Sequence, residues 1–294
     1  MKQRYREWRW FIAFTLPGLL LFATFTWWPI LYTVRLSLTD WVLPSATYNS
    51  IGFANFVSLF QDEIFWAVLR NTALYAVAVV VIAQTLAFAL ALLLNQPIRG
   101  RMLFRTLAFT PHVTTTAAAA LVWVALLDPA VGPFSRVFEA IGADAHGLLA
   151  DSALALWGAI LVGIWQETGF ATVFFLSGLQ GLPRESYESA RIDGASRFLI
   201  LRHITLPLMT PVIFFLIVSG SIAAIKVFDI VALMTEGGPV YPASSTYVYH
   251  LYKLGFRDYR FGYASAFAVV FFFLTLLLTI AQFRIARRWV HDGE

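Results

Sequence analysis

The sequence contains no cysteine, which excludes disulfides and thiol chemistry and leaves the redox compartment open. Charge is scarce too: charged residues make up 13% of the chain, against about a quarter in a soluble domain. There is no G-x-x-x-x-G-K-[ST] run to cradle nucleotide phosphates, and no H-E-x-x-H or paired Cys/His spacing for a metal. Ser177 and Ser219 precede glycines but lack the G-x-S-x-G frame of a nucleophile elbow. His112 and His203 have no obvious acidic partner. The expectation is a non-enzyme with no cofactor or metal of its own. The net charge of +4 is spread over separate loops, so nucleic acid is not an expected partner. No low-complexity tract, soluble domain or convincing internal repeat is visible. The missing repeat counts against a secondary transporter built from repeated halves.

What the chain has instead is apolar length. Hydrophobic residues reach 59%, gathered in long runs, which marks an integral membrane protein. The N-terminus, MKQRYREWRWFIAFTLPGLLLFATF, has the basic-then-apolar order of a signal peptide. The apolar part runs on to Tyr32 with no clear cleavage site, so it reads as an uncleaved first span.

Six segments are long enough to cross a core about 30 Å thick: Phe11–Tyr32, Asn71–Leu94, Thr106–Leu127, Leu154–Ser177, Pro207–Ile230 and Tyr263–Phe283. Backbone groups in lipid must be satisfied within the segment, so continuous apolar runs predict helices rather than a barrel. The expected fold is all-α, with residues 1–294 forming one transmembrane domain. With the N-terminus inside, the inner segments hold 14 of the 21 Lys and Arg residues, from Lys2 to Arg288, and the outer segments hold 6. That bias predicts two cytoplasmic termini, and Trp27, Trp28, Trp41 and Trp66 cluster where the outer aromatic belt falls.

One polar stretch interrupts this pattern, Glu185 to Pro207, reading ESYESARIDGASRFLILRHITLP. Pro183 can open a helix, and Glu185 and Glu188 in its first turns suit the dipole. Asp193-Gly194 breaks it, since glycine readily takes positive φ. A second, more apolar piece, Ala195 to Thr205, is fit to lie along a membrane surface. On these grounds alone the stretch is either a partner-docking element or an ordinary amphipathic connector.

The run E-S-A-R-I-D-G-A, Glu188 to Ala195, followed by Phe198 and Leu206-Pro207, resembles the EAA loop of binding-protein-dependent ABC importer permeases. Ser189 stands where that pattern has its first alanine. Ser37-Leu38-Thr39-Asp40-Trp41, Gly52-Phe53-Ala54-Asn55-Phe56, Asn71-Thr72, Thr235-Glu236-Gly237-Gly238-Pro239 and Phe261-Gly262-Tyr263-Ala264 follow in the family's order. The set is most similar to the maltose-type branch, which handles sugars and glycerol phosphate. Within it, the chain resembles the first of two paired permeases, without an added outer domain.

The resemblance implies a type I ABC importer permease fold in a bacterial or archaeal cytoplasmic membrane. It implies three partners besides lipid: a second homologous permease, an ATPase dimer holding ATP-Mg, and an extracytoplasmic solute-binding protein. Residues 183–207 would form the coupling loop, with Glu188, Ala190, Asp193, Gly194 and Ala195 at the ATPase. Asp193 has a second possible role, as N-cap of the following helix.

Polar groups inside spans usually face a cavity or a partner. In the fourth span Gly163, Glu167 and Phe170 share one face beside Gln166. In the fifth, Gly220, Ala224 and Val227 do so beside Ser221 and Lys226. An aromatic ring next to hydrogen-bonding groups suits a sugar, so these nine are the expected substrate path. Gly163, Gly220 and Ala224 equally suit close helix packing. Lys226 could also snorkel or pair with Asp229. The outer loops Phe138–Asp151 and Glu236–Arg260 are the expected landing surface for the binding protein, with Gly237-Gly238-Pro239 shaping the second. The alternatives are an ion-coupled transporter or channel, or an ABC permease for another solute class.

Overall fold

The structure, a computed structural model, describes residues 2–97, 99–128, 132–134 and 147–287. Most of the loop expected at Phe138–Asp151 lies outside the described residues. Described residues are helical or irregular, with one isolated bridge between Thr39 and Ser50. Among the described residues, four helices are long and apolar enough to cross a membrane, and up to six if each of two bent pairs counts as one span. The chain divides into two compact units.

The first unit comprises residues 1–62 and 251–273. Helix α1 (Lys2–Phe22) passes through a π turn into α2 (Trp28–Leu36), so the first apolar run is helical beyond its expected end at Tyr32. From Phe14 to Trp28 its apolar side chains face outward: Phe14 is 81% exposed and Phe25 74%. That suits a helix whose surroundings are lipid or another protein. After α2 the chain folds on the buried Asn55 of α3 (Ala54–Gln61), whose amide donates to the carbonyls of Ser37 at 2.9 Å and Thr39 at 2.8 Å. Gly262 meets the same turn; a side chain there would collide with the Thr39 carbonyl. Trp41 stacks on Phe261, with ring centroids 5.0 Å apart. The separate sequence signatures around residues 37–41, 52–56 and 261–264 are thus parts of one knot.

The second unit comprises residues 63–250 and 274–294. Its spine is the pair α4 (Glu63–Leu94) and α8 (Ala155–Gln180). Ala83, Ala87 and Ala91 of α4 are fully buried at four-residue spacing, so the helix presents a smooth strip on which a neighbour can lie close. One buried cluster joins Tyr75, Val79, Ile160 and Val231; another joins Ala87, Ala91, Phe175 and Met209.

Two expected spans are not continuous. The third, Thr106–Leu127, is two helices, α5 (Arg101–Val113) and α6 (Thr116–Leu126), meeting at 101°. Thr114 turns extended and Thr115 caps α6, its side chain accepting from the Ala118 amide at 3.4 Å. Threonine hydroxyls offer the backbone an alternative to the helical ladder, and three in a row end it. The fifth, Pro207–Ile230, is broken at both ends. Helix α10 (Arg197–Leu208) bends by 63° into α11 (Thr210–Ile225). At Lys226–Phe228 the helix stops before α12 (Asp229–Met234) begins. There the Thr246 hydroxyl donates to the Val227 carbonyl at 3.2 Å, a tertiary bond in place of a helical one. Short α7 (Gly147–Ala150), α9 (Arg184–Ile192) and α13 (Tyr247–Tyr252) join the longer helices, and α14 (Phe261–Ala286) closes the chain.

Candidate functional site: a polar cavity and a capped helical hairpin

Within the second unit, α4, α8, α11 and the residues after α11 enclose a cavity of about 300 Å³. Its wall includes Gly163, Gln166, Glu167, Gly220, Ala224, Lys226 and Val227, seven of the nine residues nominated from sequence. Glu167, Lys226 and Asp229 are its charged residues, and Glu167 sits in mid-helix on α8. Gln84 of α4 donates to the Glu167 carboxylate at 3.5 Å and to the Leu216 carbonyl at 3.4 Å, both long bonds. The Gln84 side-chain oxygen is buried without a hydrogen-bond partner among the described residues.

Small residues make room for this arrangement. A Cβ at residue 220 would lie 3.0 Å from a Glu167 carboxylate oxygen and 3.4 Å from the Gln84 amide nitrogen. A Cβ at residue 163 would strike the Tyr75 hydroxyl. The two readings of these glycines, packing and lining, are therefore one geometry: each lets a polar side chain of a neighbouring helix reach the cavity.

The other two nominated residues stand apart. Phe170 does not line the cavity; its ring packs on His112, which does, at a centroid distance of 4.5 Å. Ser221 is not on the wall. Lys226 and Asp229 both line it, yet they are not within the 4.0 Å of an ion pair, which sets aside the pairing considered for them. Tyr75, His112 and Thr116, from α4, α5 and α6, also line the cavity and are not among the residues expected from sequence. The signal for Tyr75 and Thr116 was faint, since a hydroxyl in an apolar run is common. Asp229 was visible as a carboxylate near the end of the fifth span.

The polar stretch after α8 folds into a tight helical hairpin. Pro183 sits extended before α9. Asp193 ends that helix and Gly194 takes φ +77°, where a side chain is strained. The Gly194 amide donates to Arg191 at 3.1 Å and the Ala195 amide to Ala190 at 2.9 Å, closing the paired bonds of a Schellman cap. Ser196, not Asp193, then caps α10, accepting from the Leu199 amide at 3.3 Å. The N-cap role considered for Asp193 is thus filled three residues later, because Gly194 at the C′ position makes Asp193 the C-cap of α9. Tyr187 and Thr205 hydroxyls, 2.9 Å apart, tie the two arms. Glu188, Asp193 and Gly194 are exposed on this hairpin and Ala190 and Ala195 half-buried. Ile192 and Phe198, 86% and 67% exposed, leave its tip apolar.

Long apolar helices, a small polar cavity among those of the second unit and an exposed, tightly capped helical hairpin fit a membrane permease. Residues 83–291 match the family described as binding-protein-dependent transport system inner membrane component, and the chain belongs to that family. It is 34% identical to the diacetylchitobiose uptake system permease protein NgcF of Streptomyces coelicolor, over 94% of this chain and 82% of that one. It is 32% identical to the sn-glycerol-3-phosphate transport system permease protein UgpA of Yersinia pestis, over 94% and 93%. In structure it is similar to a chain of a bacterial alginate ABC transporter solved with an alginate pentasaccharide-bound periplasmic protein, at a TM-score of 0.86, 25% identity, and 100% and 99% coverage. The fold is that of a type I ABC permease.

Proposed function

We propose that the chain forms half of the translocation path of an ATP-driven importer for a carbohydrate or a related solute. Three similar proteins support that solute class: one belongs to a diacetylchitobiose uptake system, one to an sn-glycerol-3-phosphate transport system and one to an alginate ABC transporter. In this reading both termini are cytoplasmic and each bent pair serves as one span, giving six. A second permease completes the path, an external binding protein delivers the solute, and a separate ATPase dimer binds ATP-Mg. The solute passes the cavity beside Gly163, Gln166, Glu167, Gly220, Ala224, Lys226 and Val227, with Phe170 supporting His112 from behind and Ser221 placed on the route in another conformation. The Glu167 carboxylate accepts hydrogen bonds from hydroxyl groups of the solute. Glu188, Asp193 and Gly194 meet the ATPase directly, while Ala190 and Ala195 hold the hairpin in shape.

The observation that carries the reading is the continuity of α8. One unbroken helix bears Gly163, Gln166 and Glu167 at the cavity and ends at Gln180, a few residues before the hairpin. A push on the hairpin therefore reaches the cavity wall through a rigid rod. The test is expression of the tagged chain together with its neighbouring reading frames. An ATPase and a second permease are expected to co-purify and, once reconstituted with the binding protein, to drive ATP-dependent sugar uptake. A chain that purifies alone and moves solute on an ion gradient would refute the proposal.

A further inference from the structure

At the far end of α8 lies a second cavity, of about 730 Å³, enclosed by the ends of α4 and α8, the start of α5, and α9. Its wall carries Arg101, Arg105, Arg184 and Arg191 against a single carboxylate, Glu188. None of the four arginines has a carboxylate within 4.0 Å among the described residues. Arg101 and Arg105 instead converge on one neutral atom. The Gln180 carboxamide oxygen, in the orientation its neighbours require, accepts from an Arg105 Nη at 2.5 Å and an Arg101 Nη at 2.6 Å. The Nε atoms of both arginines are buried with no partner. Each guanidinium carries five donors and a full charge, so two cations sharing one carboxamide oxygen form a site short of acceptors and of negative charge. Oxygens of a phosphate match that fork geometry.

The cavity is not isolated. A groove of about 390 Å³ runs between α5 and α8 and shares Arg105 and Gln180 with it. Met102, Phe109 and Val173 line the groove and are all exposed. The arginines therefore stand at the end of an apolar furrow, where one candidate span begins at Arg101 and another ends at Gln180. A free anion would use the cations and leave the furrow empty, whereas a phospholipid uses both.

We propose that this is a binding site for an anionic phospholipid, with its phosphate between Arg101 and Arg105 and an acyl chain in the furrow between α5 and α8. The site goes beyond the transport reading and needs only that α5 and α8 lie in a bilayer. The test uses the full chain, purified in detergent, delipidated, and titrated with phosphatidylglycerol or phosphatidylcholine, with bound lipid read by native mass spectrometry. Two arginines near the lipid phosphate favour the anionic lipid by about thirtyfold. R101Q/R105Q is expected to erase that preference, and R101K/R105K to keep part of it because charge remains. Ser177→Trp, which fills the furrow and leaves the arginines, is expected to weaken both lipids alike. Equal retention of the two lipids by the wild-type chain would overturn the site. So would an unchanged preference in R101Q/R105Q with native helical content. Displacement of phosphatidylglycerol by equimolar inorganic phosphate would make it a site for free anions, and displacement by the co-purified ATPase would make it a protein interface. Either result would overturn the lipid assignment.

Discussion

Gly220 of α11 faces Glu167 of α8, and a methyl group in place of its hydrogen would stand 3.0 Å from the carboxylate. The glycine holds open the space in which Glu167 meets the cavity. Because the two residues form one contact, their substitutions are expected not to add. Glu167→Ala removes a charged acceptor, and a hydrogen bond to such a group is worth about 1.5–3 kcal/mol, or roughly 10- to 150-fold in solute affinity. Gly220→Val pushes the carboxylate aside and should lose a similar factor. The double variant should be little worse than either alone, as expected for residues in contact. Uptake rates and half-saturation in vesicles measure this. An unchanged Glu167→Ala would detach Glu167 from the solute, and additive losses would mean that Gly220 acts independently of Glu167.

Much of this site was legible in the sequence for one physical reason: a carboxylate within an apolar helix is costly and stands out. Gly163 follows from Glu167 by helical spacing, and Gln166 as its polar neighbour within the span. Tyr75 and His112 were not legible as lining, because their place depends on how α4 and α5 are rotated against α8. The breaks in the spans divide the same way. Thr114, Thr115 and Thr116 carried a local signal, three hydroxyls able to cap, inside a run read as continuous. The stop at Lys226 depends on Thr246, whose hydroxyl takes the Val227 carbonyl from 19 positions on. No local pattern shows that. In the hairpin, Gly194 was legible as a turn. The choice between Asp193 and Ser196 as cap was not, since both are good N-cap residues and only the Schellman bonds decide.

The hairpin gives a graded series. Proline at residue 194 cannot adopt φ +77°. Gly194→Pro should therefore open the angle between α9 and α10 and abolish ATP-driven uptake while the chain still inserts. Gly194→Ala costs about 1–2 kcal/mol in the left-handed region. Ser196→Ala costs about 1 kcal/mol through its lost cap. Both should leave partial uptake and reduced recovery of the ATPase on co-purification. Normal uptake by Gly194→Pro would separate the hairpin from energy coupling.

The most informative stability variant lies at Asn71, near the start of α4. Its buried amide nitrogen donates to the carbonyls of Pro242, Ala243 and Ser245 at 3.0, 3.1 and 3.1 Å. Next to it, the Thr72 hydroxyl accepts from the Tyr247 amide at 2.8 Å. One turn of α4 thereby anchors the loop that follows α12, including the Gly237-Gly238-Pro239 stretch. Asn71→Ala leaves buried carbonyls unsatisfied, at a cost of about 1–3 kcal/mol. Asn71→Asp is expected to be worse despite its nearly identical shape. It removes both donors and sets a charged acceptor against three carbonyl oxygens. Thermal unfolding in detergent should therefore rank wild type above Asn71→Ala, and Asn71→Asp last. Limited proteolysis should cut both variants faster between residues 235 and 246. An aspartate variant as stable as wild type would mean that the loop is held by Thr72 and its packing alone, with the Asn71 bonds contributing nothing measurable.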